Sequence, residues 1–272
     1  MAVSPLASLL DLATDENAAE KPALCPRCHG TGWCIEPDGG AGRAVRCRCH
    51  QSSRKGDRFS RAGIPSRYRR SRLHLFRTAN PDPGVSAQLL RARTVSERYV
   101  ETFITADGSH RRSGLLYIGP PGVGKTHLAT AVLIELMERY AVHGRFVDFS
   151  TLLHQIQSTF DQGSSETKAS ILQPVINADV VVLDELGAQK PTDWVMDVLY
   201  LIMNTRYTEG RPTIFTTNYR LDEEAEEAGP ESLSRRIHAS LLSRLYEMAH
   251  PLELDGPDYR KTIKMHANRL AS

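Results

Sequence analysis

The residues able to do chemistry fall in three places, and the first is Gly119-Pro120-Pro121-Gly122-Val123-Gly124-Lys125-Thr126, which fits G-x-x-x-x-G-K-[ST]. An apolar run, Leu115 to Ile118, precedes it, and a helical pattern over 125–140 follows. Glycines at these spacings let backbone N–H groups close around phosphate oxygens, and the positive end of the next helix favours the same negative charge. Lys125 is expected at the β and γ oxygens of a nucleoside triphosphate, ATP, and the Thr126 hydroxyl on Mg²⁺. His127, directly after the loop, is assigned to the nucleotide with it. A glycine-rich turn with a chance lysine is the plainer alternative, and the strand before and helix after argue against it.

The second place is Val180-Val181-Val182-Leu183-Asp184-Glu185. A strand apolar on both faces delivers two carboxylates at its C-terminal end, the edge where parallel sheets bind ligands. Asp184 is expected to hold the magnesium and Glu185 to orient and deprotonate an attacking water. Standing alone, such a pair would read as a helix cap.

The third is Cys25-x-x-Cys28 with Cys47-x-Cys49, two close thiolate pairs separated by a glycine-rich loop. Tetrahedral zinc takes four soft ligands, and two tight turns converging supply them. An iron–sulfur cluster and a metal-free arrangement stay open, with Cys34, His29 and His50 as spare ligands. A disulfide framework is the weaker reading because nothing in the first twelve residues resembles a secretory signal; a cytoplasmic protein is expected.

No apolar run approaches a bilayer span, which excludes a membrane-spanning helix. The net charge of +2 hides an asymmetry: between 43 and 77, twelve Lys and Arg residues face one acid, Asp57. Such a block suits an anionic partner, because each cation at a phosphate releases a counterion; a solvated linker or a surface for an acidic protein would look the same. The chain therefore divides into an arm over 1–20, a zinc-binding module over 21–52, a basic linker over 53–84 and one large domain over 85–272.

In that domain apolar strands alternate with amphipathic helices, which predicts an α/β fold with a parallel sheet between two helical layers. Helices are expected over 85–105, 125–140, 151–160 (capped by Ser150), 193–207 and 233–248, and strands over 114–118, 146–149, 180–183, 213–216 and 252–254.

The order of phosphate loop, Asp-Glu strand and then Thr216-Thr217-Asn218 resembles the P-loop AAA+ ATPases, and the resemblance makes Asn218 a γ-phosphate sensor. Leu241-Leu242-Ser243-Arg244-Leu245 resembles the segment carrying their arginine finger. Arg244 would then reach the ATP of a neighbouring subunit, implying self-association through the ATP interface. Arg235 and Arg236 are expected on the same helix, and a surface salt bridge is the plainer reading for all three.

From Ile64 onward the chain is similar to the DnaC, DnaI and IstB group. Ile64-Pro65-Ser66-Arg67-Tyr68 resembles their stretch near adenine, and Gly256-Pro257-Asp258-Tyr259-Arg260 their ending, where Arg260 is a second sensor. So little chain follows Arg260 that the helical lid of many AAA+ proteins is expected to be missing or vestigial. Cys-Pro-x-Cys-x-Gly-Thr-Gly-Trp resembles the N-terminal zinc module of Gram-positive and phage helicase loaders, which IstB-type helpers generally lack. The resemblance implies an ATPase that loads a hexameric replicative DNA helicase onto single-stranded DNA. An IstB-like transposition helper, acting on duplex DNA with a transposase, is the alternative, and Glu185 argues against a mere nucleotide-gated adaptor. In such a loader the segment 150–173 would line a ring, with Phe160 stacking on bases and Ser164, Ser165, Thr167 and Lys168 near phosphates; packing of Phe160 with Leu152 and Ile156 is the rival reading.

Overall fold

Strands apolar at successive positions need cover on both faces. β3 (Gly114–Ile118) and β5 (Val180–Asp184) find it inside a five-stranded sheet that also contains β4 (Gly144–Asp148), β6 (Thr213–Thr217) and β7 (Ala249–Glu253). The order is β4-β5-β6-β3-β7 and every pairing is parallel. Leu115, Tyr117, Val180 and Val182 pack with helices α1 (Pro83–Glu101) and α2 (Lys125–Tyr140). Leu116, Ile118, Val181 and Leu183 pack with α3 (Phe149–Ser158), α4 (Lys168–Asn177), α5 (Asp193–Thr208) and α6 (Ala239–Met248). Alternate residues of each strand thus feed two cores, giving the expected helix–sheet–helix layers. This computed structural model describes residues 33–36, 42–46, 58–160, 167–221 and 232–261. Among them no helix is long and apolar enough to cross a membrane.

The chain forms two units, Met1–Gly56 and Asp57–Ser272. In the first, β1 (Trp33–Glu36) and β2 (Arg43–Arg46) form an antiparallel hairpin with Trp33 opposite Arg46. Cys25, Cys28, Cys47 and Cys49 lie outside the described residues, as do the arm over 1–20, Ser164 and Ser165. The stretch expected as a basic linker belongs to the second unit from Asp57 onward. Phe59, Ile64, Leu73 and Phe76 are buried in its core, and Phe146 N–H donates to Ala62 O at 2.7 Å, covering the outer edge of β4.

Several boundaries move for local reasons. α3 begins at Phe149 because Asp148, not Ser150, accepts from Thr151 N–H, at 2.8 Å. The helix expected over 233–248 is broken into a 3-10 turn, Leu233–Arg235, and α6. Arg236, just after the turn, donates to Gly187 O at 2.9 Å and to the Tyr219 hydroxyl at 2.7 Å, so Arg235 and Arg236 do not share a helix with Arg244. α4 was not anticipated: Pro174 interrupts its apolar pattern, while its capping box, Thr167 with Ser170, is the signal that marks it.

Candidate nucleotide-binding site

The loop between β3 and α2 closes tightly against its surroundings. At Gly119 (φ 150°) a Cβ would collide with Leu254 O, and at Gly124 (φ 102°) it would stand 2.6 Å from the Phe76 ring, so only glycine fits either position. Lys125, 7% exposed, donates from Nζ to Gly119 O at 2.8 Å and Pro120 O at 2.9 Å. Burial lowers its pKa to about 8, with Asp184 opposing the shift and the nearby Arg260 charge adding to it. The Thr126 hydroxyl donates to Asp184 at 3.0 and 3.3 Å, joining the start of α2 to the end of β5. Burial pushes the Asp184 carboxyl up, against hydrogen bonds from Thr216 and Thr126 that pull it down. A hydroxyl and a carboxylate in contact, both hard oxygen donors beside a loop whose Gly119 and Gly124 leave no room for a Cβ, fit a magnesium–triphosphate ligand.

Glu185 follows Asp184 with φ 62°, a left-handed backbone that is uncommon for a residue with a Cβ. Its side chain is exposed at the sheet edge. Asn218, also exposed, lies directly after β6. Thr216, buried and unassigned in the sequence reading, is the β6 residue that touches the acidic pair. Its hydroxyl donates to Asp184 Oδ1 at 2.6 Å and accepts from Glu185 N–H at 3.0 Å. Its signal was the alternation of a strand whose register with β5 places Phe215 opposite Leu183, and that register is not visible in the chain.

A cavity of about 390 Å³ flanks the loop, lined by Phe76, Asn80, Leu89, Val123, His127 and Tyr259 among others. His127 Nε2 is 3.2 Å from Arg72 O and its Nδ1 3.4 Å from Ser71 Oγ, tying the segment before α1 to α2. Ile64 to Tyr68 do not line this cavity: Ile64 is buried in the core, and Tyr68 packs on Phe146 of β4 with ring centroids 6.4 Å apart. This segment first reaches the pocket at Leu75 and Phe76. Arg260 is exposed on the segment after β7, where Tyr259 N–H donates to Gly122 O at 3.2 Å.

Arg244 lies on α6 with its guanidinium 5.1 Å from the Tyr200 ring centroid and 5.9 Å from that of Tyr207. Its Nη1 is shielded from solvent and has no hydrogen-bond partner among the described residues. Phe160 is 66% exposed while Leu152 and Ile156 are buried, so Phe160 does not pack with them. Of the connector arginines, Arg69 donates to Ile64 O at 3.2 Å and Arg72 pairs with Glu138 at 3.3 Å, whereas Arg67 and Arg70 are exposed.

A parallel sheet with the phosphate-type loop after β3 and the acidic pair after β5 defines a P-loop protein of the AAA+ ATPase class. Residues 81–267 match the family described as IstB-like ATP binding protein, and the chain belongs to that family. A putative ATP-binding protein of insertion sequence IS5376 from Geobacillus stearothermophilus is 30% identical over 61% of this chain and 63% of its own length. The protein XkdC of the phage-like element PBSX of Bacillus subtilis is 26% identical over 85% of this chain and 84% of its own. The crystal structure of the DnaC helicase loader superposes with a TM-score of 0.58 at 30% identity, covering 70% of this chain and all of that one. The chain spans 57–63% of the length of the first curated relatives it matches.

Proposed function

We propose that the chain binds ATP with magnesium in the 119–126 loop and hydrolyses it, working in the cytoplasm as a loader that places a replicative helicase on single-stranded DNA. The observation that carries the hydrolytic reading is the contact of Thr126 with Asp184 at 3.0 Å, beside Glu185. Loop amides and the start of α2 bind the phosphates, and Lys125 meets the β and γ oxygens. Thr126 and Asp184 would hold a magnesium ion, which would neutralise phosphate charge. Glu185 orients a water and takes its proton as the water oxygen attacks the γ phosphorus, releasing ADP and phosphate. Asn218 and Arg260 contact the phosphates from β6 and the C-terminal segment. Arg244, beside the Tyr200 and Tyr207 rings and with an Nη1 that has no hydrogen-bond partner among the described residues, is the candidate to reach a neighbouring subunit's ATP. The 390 Å³ cavity takes the base.

The helicase role is supported by the likeness to the DnaC helicase loader across that chain's whole length. A second reading, a transposition helper acting on duplex DNA, is favoured by the insertion-sequence relative and by the family itself. In either case Lys125→Ala should abolish ATP binding and Glu185→Gln should retain binding without turnover. Equal turnover in Glu185→Gln and wild type would remove Glu185 from the mechanism. Single-stranded DNA should stimulate a helicase loader, and duplex DNA a transposition helper.

A further inference from the structure

We infer that Thr216 is a positioning residue for the hydrolytic centre, its single hydroxyl setting the Asp184 carboxylate and the Glu185 backbone together. The inference rests on the hydrolysis reading above. Thr216 is 1% exposed and stands one residue beyond the Leu183–Phe215 pair, opposite Asp184. A backbone N–H can only donate, so the bond between Glu185 N and Thr216 Oγ1 leaves the hydroxyl hydrogen for Asp184 Oδ1, 2.6 Å away. The relay therefore has one direction, from Glu185 N–H through Thr216 to the carboxylate. Asp184 Oδ1 also receives the Thr126 hydroxyl, so one oxygen is held from both α2 and β6.

The same hydroxyl supports a strained backbone. Glu185 at φ 62° persists only where its surroundings over-determine it. Leu186 N–H donates to Thr216 O at 2.8 Å, and the Thr217 hydroxyl donates to Leu186 O at 2.8 Å. Neither bond uses the Thr216 side chain, so both survive its replacement and keep the turn folded. What disappears with the hydroxyl is the tether on Glu185 and one of the two hydroxyl bonds to Asp184 Oδ1. The carboxylate assigned to magnesium and the one assigned to water thereby loosen together.

The test uses Thr216→Val, which keeps the branched shape, and Thr216→Ser, which keeps the hydroxyl, in the full chain. Four quantities are measured: steady-state ATP hydrolysis, its magnesium dependence, the affinity of a fluorescent ATP analogue with and without magnesium, and thermal unfolding. Thr216→Val should lower kcat by about 10- to 100-fold, the range for removing a group that orients a metal ligand. It should also raise the magnesium concentration at half-saturation and leave magnesium-free analogue affinity unchanged, while Thr216→Ser recovers most of the loss. In a Glu185→Gln background Thr216→Val should still weaken the magnesium dependence of binding, because that part acts through Asp184. Wild-type kcat and magnesium dependence in Thr216→Val would overturn the inference. So would Thr216→Ser as impaired as Thr216→Val with equal loss of melting temperature, which marks a packing role. If wild type itself hydrolyses no ATP, the hydrolysis reading falls, and the magnesium dependence of analogue binding still decides whether Thr216 sets Asp184.

Discussion

Arg206 on α5 is fully buried, and its guanidinium donates to Thr213 Oγ1 at 2.8 Å and to the carbonyls of Val175 (3.0 Å), Ile176 (3.1 Å), Ala178 (2.8 Å) and Pro212 (2.8 Å). Arg206→Leu strands two of those acceptors, Val175 O and Ala178 O, since Ile176 O keeps a bond from Arg211 at 3.0 Å, Pro212 O one from Val181 N–H at 3.4 Å, and the Thr213 hydroxyl its own bond to Arg211 O at 3.4 Å. A buried acceptor left unpaired costs about 1–3 kcal/mol. Leucine also relieves the burial of a charge, a burial that pulls the Arg206 pKa down to about 9, so the lower end applies. Two acceptors at about 1 kcal/mol each give about 2 kcal/mol in total, and at about 2–4 °C per kcal/mol for a unit of this size the melting temperature should fall by about 4–8 °C. Arg206→Lys keeps the charge but cannot span both Ala178 and Pro212, so it should lie between. Circular dichroism against temperature and urea is the assay. ATP affinity should hold, because Val180, next to this cage, is separated from Asp184 by four strand steps, about 13 Å. A leucine variant melting within about 2 °C of wild type would refute the reasoning and show that water or backbone shifts satisfy those carbonyls.

Two further outcomes concern metal and assembly. Freshly purified protein should carry about one zinc per chain by elemental analysis, the expected stoichiometry of a four-cysteine site. Cys25→Ser or Cys47→Ser should lose it without losing ATP binding; absence of zinc from wild type removes the module, and iron with visible absorbance points to a cluster. Arg244→Ala should bind ATP normally and hydrolyse it poorly, and mixing it with Lys125→Ala should restore turnover, because a mixed interface pairs one intact phosphate site with one intact Arg244. No recovery in mixtures with confirmed assembly would exclude action in trans.

Much of the fold was legible because its signals are local. The limits of β3 and α2 follow from an apolar run, a glycine loop and a 3.6-residue pattern, and they coincide with expectation. Where one side chain arbitrates, the structure departs from the local pattern. Asp148 outcompetes Ser150 as a cap, Arg236 is drawn toward Gly187 and Tyr219 where a single helix was expected, and Phe160 points to solvent despite its spacing from Leu152 and Ile156.

By itself the sequence determined the phosphate-type loop, the two carboxylates and the parallel α/β layers, since each depends on residues contiguous in the chain. Only the tertiary structure decided what meets them. Thr216 is thirty-two residues from Asp184 yet bonds it at 2.6 Å, because parallel pairing of β5 and β6 sets a register that no local pattern encodes. For the same reason Phe76, rather than Ile64 to Tyr68, borders the pocket beside Gly124: how far a segment runs before meeting the loop is decided by how its apolar residues pack into the core.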